Sequence, residues 1–268
     1  MKITIVSGSR ADWGLLEWPI KTLQEDAYFQ GQILKIWGAT FDDAFRSCTD
    51  SFTAERPDLM LCLGDRFEIL AAATAAHLLR VPIAHLCGGD VSAGSYDDAM
   101  RDCISRMATY HFCTSAAAWD RLINLGYTNV HMVGSTGVDY IMHAPWRELG
   151  TPAIAKPYVL VGYYPETIDG TVDLDAVNEA IAGRPALWLK PNNDIGSDKI
   201  HGKWEFSHDQ FLRVLANCEE FIGNSSAILY EAPFLGVKTK LIGKRQQGRV
   251  VPFGDGRASE RIRDILKA

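Results

Sequence analysis

The order of its apolar runs is what most narrows the folds open to this chain: runs of strand length alternate with longer segments of helical period from the first residues onward. Such alternation marks β-α units wound around a mainly parallel sheet. Ile3 to Ser7 reads as the first strand, and Gly8, Ser9 and Arg10 as a turn. Asp12 then caps a helix that places Leu15, Leu16, Ile20 and Leu23 on one side, with a kink at Pro19. Ile33 to Trp37, Leu59 to Leu63, Val81 to Leu86, Tyr110 to Thr114 and Val130 to Val133 follow as strands. Between them the sequence predicts an Ala-rich helix from about Glu68 to Leu79 and a helix near Asp97 to Ala108 with Met100, Ile104 and Met107 on one stripe. A third helix is capped by Ser115 and stops at Gly126.

His143 to Pro157 is rich in Pro and Gly and has no periodicity, which places an interdomain linker there. The pattern then restarts. Tyr158 to Val161 and Ala186 to Leu189 read as strands flanking a helix around Val172 to Ala182, and Phe211 to Leu215 lies on another helix. Phe221-Ile222-Gly223 is a short strand running into Asn224-Ser225-Ser226, followed by a helix from Ala227 to Leu235 that stops at Gly236, a strand from Val237 to Ile242, and a last helix from Ser259 to Lys267. The expectation is an α/β protein with a Rossmann-like domain over 1–145 and a nucleotide-binding Rossmann-like domain over 146–268, its last helix able to pack back on the first domain.

A chain of 268 residues with 47% hydrophobic and 22% charged residues buries an ample core without staples. A net charge of -6 does not favour nucleic acid as a partner, though it leaves a local basic patch open. The six cysteines are scattered without a Cys-x-x-Cys pair, which reads as reduced thiols and a cytoplasmic location. Met1 to Val6 is too short for a signal peptide, and no apolar stretch has the length of a membrane helix. The seven histidines show no His-x-His or His-Glu-x-x-His spacing, so no metal is expected. Ser7-Gly8-Ser9-Arg10 lacks the G-x-G-x-x-G spacing of dinucleotide sites, which argues against a nicotinamide dehydrogenase.

In open parallel sheets ligands bind beyond the carboxyl ends of strands, so the residues just after each strand carry the functional information. Gly223-Asn224-Ser225-Ser226 before a helix offers backbone N–H groups, two hydroxyls and a positive dipole end, which suit a phosphate; a plain N-cap is the alternative. Arg10, Arg245 and Arg249 stand where charge-assisted contacts to a diphosphate would come from, unless they are solvated surface residues. Asp65, Asp90, Asp97 and Asp98 gather on the same rim as acid-base candidates, each also readable as a turn or cap residue. Glu231 is placed to reach a ribose hydroxyl pair, or is an ordinary exposed helix glutamate. His85, at a strand end, either orients a carboxylate or is packed and hydrogen-bonded.

Taken in order, SGSRADWGLL, PDLMLCLGDRFE, PIAHLCGGDVSAGSYDDAMRD, GYYPET, FIGNSSAILYEAP and IGKRQQGR resemble the UDP-N-acetylglucosamine 2-epimerase family, and most closely its hydrolysing branch, which makes N-acetylmannosamine-type sugars. The resemblance runs over nearly the whole chain. It implies two domains of GT-B type, an active site in the interdomain cleft, a UDP-sugar substrate, and neither metal nor redox cofactor. It also implies loss of UDP from C1 with proton removal at C2 to give a glycal, then addition of water. Carried over by motif, Arg10, Ser225, Ser226 and Arg245 hold the diphosphate and Glu231 the ribose. Asp65 and Asp97 are acid-base candidates, Asp90 takes the last place of the GG(E/D) motif, and Arg101 stabilises charge near the leaving group.

The chain departs from the family at three places. Cys87 stands where the family carries Glu or His, Tyr164 where YHPET has its histidine, and Thr40 at the histidine of a Gly-Met-His-Leu-like segment. The stretch from Phe45 to Pro57 is also shorter than in the family. Three functions follow from these observations: a hydrolysing UDP-sugar 2-epimerase using Asp65 and Asp97; a GT-B glycosyltransferase moving a sugar to an acceptor hydroxyl activated by Asp90 or Asp97; and a nucleotide-sugar-binding protein without catalysis. An oligomer is compatible with all three.

Overall fold

A computed structural model describes residues 1–93, 95–150, 154–166, 168–191 and 195–268, with the backbone alone for residues 10 and 11. The chain divides into two compact units. Met1–Val91, Asp97–Met142 and Pro252–Ala268 form the first, and Ser92–Tyr96 with His143–Val251 form the second. The sequence-based boundary at 145/146 therefore needs two changes: residues 252–268 belong to the first unit, and a short excursion at 92–96 belongs to the second.

In the first unit, strands β1 (Lys2–Ser7), β2 (Gln30–Lys35), β3 (Leu59–Leu63), β4 (Ile83–Leu86), β5 (Tyr110–Cys113) and β6 (Val130–Met132) form one parallel sheet in the order β2-β1-β3-β4-β5-β6. The strand order reverses between β1 and β3, and such a reversal opens a crevice at the carboxyl ends of those two strands. Helix α1 (Arg10–Gln24) leaves that crevice. Its cap is Ser9, whose hydroxyl accepts from the Asp12 N–H at 3.2 Å; Asp12 in turn accepts from the Gly8 N–H at 3.1 Å, so the predicted cap acts from the first turn. The helix runs on through Pro19. Pro19 has no N–H for the Leu15 carbonyl, and the Thr136 hydroxyl donates to that carbonyl at 2.6 Å instead.

Helix α2 (Phe41–Ala54) was not anticipated. Thr40 caps it by accepting from the Asp43 N–H at 3.2 Å, and Ala44, Cys48 and Phe52, four residues apart, are its buried side. It packs on α3 (Phe67–Leu78), as does α4 (Asp98–Met107), so the alanines of α3 are buried on more than one face. Helix α5 (Ala116–Asn124) begins as expected, with Ser115 accepting from the Ala118 N–H at 3.2 Å, and the chain turns at Gly126 with φ 82°. Helix α6 (Thr136–His143) ends on the first residue of the expected linker. The apolar residues on the other side of the sheet join Leu16, Ile20 and Leu23 of α1 to Ile262 and Leu266 of the last helix, which is why 252–268 fold with this unit.

The second unit is a four-stranded parallel sheet of β7 (Val159–Gly162), β8 (Ala186–Trp188), β9 (Phe221–Gly223) and β10 (Thr239–Leu241) in the order β10-β9-β7-β8. Its strand order reverses between β7 and β9. Helix α7 (Leu174–Ile181) lies in the β7–β8 connection and α8 (His208–Ala216) in the β8–β9 connection, the latter opened by a capping box of Ser207 and Gln210. The helix expected from Ala227 to Leu235 is in two pieces, α9 (Ala227–Tyr230) and a 3-10 turn over Ala232–Leu235. Pro233 causes the break, since it lacks the N–H an α-helix needs there and its ring crowds the carbonyl four residues earlier. Gly236, with φ 68°, ends the segment as predicted. Helix α10 (Ala258–Lys267) closes the chain.

Candidate active site

At the carboxyl edge of the first unit's sheet, Arg101 organises the acidic residues. It lies on the first turn of α4 and is 3% exposed, with its guanidinium among groups from several loops. It pairs with the Asp65 carboxylate after β3 and the Asp98 carboxylate at the start of α4, and donates to the Asp90 carbonyl at 2.6 Å. The Asp90 carboxylate accepts from the Thr114 hydroxyl at the end of β5 at 3.0 Å. One arginine thus joins the loops after β3 and β4 to α4. Asp97 occupies the position before α4, where its carbonyl accepts the Arg101 N–H at 2.9 Å.

A second cluster stands at the reversal point itself. Arg66 makes a two-pronged contact to the buried Glu68 carboxylate, at 3.1 and 2.7 Å, and its charge is also felt by Asp12 and Asp97. Burial pushes the Asp12 carboxyl up to about 6 against the opposing pull of the Ser9 hydroxyl, the Arg66 charge and the Gly8 amide. The side chain of Arg10 lies outside the described residues.

His85 is fully buried and both its ring nitrogens are engaged, so no nitrogen is left for a ligand or a carboxylate. Nε2 donates to the Gly64 carbonyl at 2.7 Å, which leaves Nδ1 to accept from the Ser105 hydroxyl at 3.0 Å. Burial lowers its pKa to about 4, keeping the ring neutral. Its place is beneath the Gly64-Asp65 turn, as a brace. A Cβ on Gly88 would stand 3.2 Å from the same ring and 3.1 Å from the Ser105 hydroxyl, so a side chain there would press on both partners of this contact. Cys87, beside it, adopts φ 63°, an uncommon conformation for a residue with a side chain.

In the second unit the reversal point is built around Asn224. This buried side chain does not reach outward: its Oδ1 accepts from the Tyr164 N–H and its Nδ2 donates to the Tyr164 carbonyl, both at 2.8 Å. Its amide is spent on clasping the loop after β7, which corrects its expected place among the ligand contacts. Gly223 takes φ 136°, and a Cβ there would collide with the Gly162 carbonyl, so glycine is needed for the two strand ends to meet. The Ser225 hydroxyl accepts from the Ala227 N–H at 3.3 Å, while Ser226 is exposed and its hydroxyl caps nothing. With α9 only four residues long, little macrodipole stands behind this turn, and where the sequence leads one to expect free backbone N–H groups, those of Asn224 and Ser225 both donate to the Gly162 carbonyl at 3.0 Å.

Around the same turn, Arg245 donates to the Pro165 carbonyl at 2.6 Å and lies over the Tyr164 ring, 5.6 Å from its centroid. Arg249 donates to the Ser92 hydroxyl at 2.9 Å. Glu231 is at the break between α9 and the 3-10 turn; its Oε2 is buried without a hydrogen-bond partner, and burial pushes its carboxyl up to about 7. That is not an ordinary exposed helix glutamate. Gln246, which sequence reasoning missed, is buried and donates to the Asn224 carbonyl at 2.8 Å.

Among the described residues no group of three or more His, Cys, Asp or Glu is arranged to hold a metal ion, and no helix is long and apolar enough to cross a membrane. All six cysteines are free thiols.

A family profile described as UDP-N-acetylglucosamine 2-epimerase matches residues 35–251. The chain belongs to the UDP-N-acetylglucosamine 2-epimerase family. Curated relatives include the polysialic acid biosynthesis protein P7 of Escherichia coli, 27% identical over 315 aligned positions that take in 93% of this chain and 80% of the relative. The UDP-N,N'-diacetylbacillosamine 2-epimerase (hydrolyzing) of Legionella pneumophila is 29% identical over 311 positions, covering 92% and 82%. Both alignments are longer than the chain, so both open gaps in it. Among solved structures, the UDP complex of Staphylococcus aureus MnaA superposes with a TM-score of 0.82 at 17% identity, over 99% of this chain and 96% of that one. The UDP-GlcNAc complex of the Neisseria meningitidis UDP-GlcNAc 2-epimerase gives 0.81 at 16% identity, with both chains covered completely. At these identities the likeness is one of fold, two parallel-sheet α/β units of GT-B type. Of these, the Legionella relative and the Neisseria neighbour of this 2-epimerase family member are themselves named as 2-epimerases of UDP-sugars.

Proposed function

We propose that this chain is a hydrolysing 2-epimerase of a UDP-sugar. The observation that carries the proposal is the set of carboxylates fastened by Arg101, Asp65 and Asp98 directly and Asp90 through its carbonyl, at the carboxyl edge of the sheet in a chain of this family. The reaction needs a base to take the proton from C2 as the C1–O bond to UDP breaks, leaving a C1–C2 double bond. Water then adds its oxygen to C1 and a proton is delivered to C2 on the opposite face. Carboxylates suffice for both transfers, and no cofactor enters the balance. Asp65 and Asp97 are assigned these roles, with Arg101 fixing Asp65 by its ion pair.

The second unit's residues suit the leaving group. Ser225, Ser226 and Arg245 would hold the diphosphate, and the orphaned Oε2 of Glu231 would accept a ribose hydroxyl. Tyr164 would serve by supporting Arg245 rather than by transferring a proton. Turnover in deuterium oxide tests the chemistry: the 2-epimeric sugar must carry deuterium at C2, and protium retained there would exclude a route through a double bond.

Cys87 favours a second reading. A thiol replaces an acid-base side chain at the end of β4, and a glycosyltransferase needs no base at that position. That reading requires an acceptor before UDP is released.

A further inference from the structure

Gln246 follows Arg245 in the turn after β10 and is 5% exposed. Its Nε2 donates to the Asn224 carbonyl, and since only the nitrogen of a side-chain amide donates, this bond fixes which end of the amide is which. Oε1, at the other end, is buried with no hydrogen-bond partner among the described residues. Native structures rarely leave a buried acceptor without a donor. A diphosphate does not supply one, because ionised phosphate oxygens only accept. The same unit holds the Glu231 Oε2, a second buried acceptor without a partner. Two acceptors await uncharged donors beside a turn assigned to UDP, and the nucleoside half of UDP carries such donors: the 2′- and 3′-hydroxyls of ribose and the N3–H of uracil.

We propose that Gln246 Oε1 accepts a hydrogen bond from an O–H or N–H donor of the nucleoside, which makes Gln246 a specificity-determining residue. The inference rests on the UDP-sugar reading above. Its Nε2 keeps the turn together through Asn224, and its Oε1 reads the ligand. A purely structural glutamine would need only the first of these bonds, so the two roles separate experimentally.

Calorimetry on the full chain with UDP, 2′-deoxy-UDP, 3′-deoxy-UDP and N3-methyl-UDP tests it. The wild type binds UDP and loses about tenfold in affinity or more for the analogue lacking the donor that Gln246 reads. That penalty disappears in Gln246→Met, which has no acceptor, and survives in Gln246→Glu, which keeps one. Which analogue changes tells ribose from base. If every penalty of the wild type survives in Gln246→Met, the inference is wrong while the UDP reading stands; a wild type that binds no UDP overturns both. Should Gln246→Met lose its melting transition, Gln246→Leu replaces it, and equal wild-type affinity for all four ligands is by itself enough to overturn the inference.

Discussion

Glu231→Gln should trade binding for stability, and the size of the trade follows from burial. The Glu231 carboxyl is raised from 4.5 to about 7 by desolvation. In the unfolded chain it ionises near its ordinary value, so between those two pH values the folded protein holds a proton that the unfolded one has released. Stability linked to this proton is fully present below pH 4.5 and is lost as pH rises through 7. At about 1.4 kcal/mol per unit, the loss between pH 5 and pH 8.5 is roughly 2–3 kcal/mol. Glutamine cannot ionise, so the difference in unfolding free energy between wild type and Glu231→Gln should move by that amount across the range, in favour of the variant at high pH. Comparing the two proteins at both pH values cancels any pH-independent cost of burying the new amide. Urea titrations give the free energies, and calorimetry on the same samples should show weaker UDP binding by the variant. A difference that stays constant from pH 5 to pH 8.5 would refute the reasoning, because Glu231 would then be solvated in the folded state.

Other residues give equally definite expectations. Asp97→Asn should lower kcat about a hundredfold or more while leaving the Kd for UDP nearly unchanged, and an active variant would remove Asp97 from proton transfer. Arg101→Leu should cost on the order of 3 kcal/mol in a urea titration, because it strands the Asp65 and Asp98 carboxylates; a loss under about 1 kcal/mol would mean those carboxylates are already well solvated. His85 must stay neutral in the fold, so acid should destabilise the protein as pH falls from 6.5 through about 4, by up to about 3 kcal/mol, and His85→Gln should flatten that acid limb. An unchanged limb would place the acid sensitivity elsewhere.

The β-α alternation was legible because buried strands and one-sided helices leave local patterns. Ser115, Gly126 and Gly236 marked element ends through local backbone chemistry and are where they were expected. Helix α2 was missed because its buried side is Ala44, Cys48 and Phe52, two small residues and one large one in a stretch otherwise rich in Asp, Ser and Thr. The apolar run from Ala227 to Leu235 reads as one helix, yet Pro233 within it limits α9 to Ala227–Tyr230. Within the site, the residues were visible but not their directions. Asn224 in Gly-Asn-Ser-Ser reads as a ligand contact, yet its amide turns back to Tyr164, sixty residues earlier in the chain. His85 reads as a strand-end base, yet its partners come from the loop after β3 and from α4. Gln246 carried no local signal, since its burial and its orphaned oxygen arise only when the turns after β9 and β10 meet.

Incubating the purified protein with UDP-GlcNAc, and in parallel with UDP-N,N'-diacetylbacillosamine, while following the products by NMR tests the central claim most directly. The account predicts free UDP together with the 2-epimeric free sugar from at least one of them, with no acceptor added. Both sugar nucleotides remaining intact until an acceptor is supplied would contradict it.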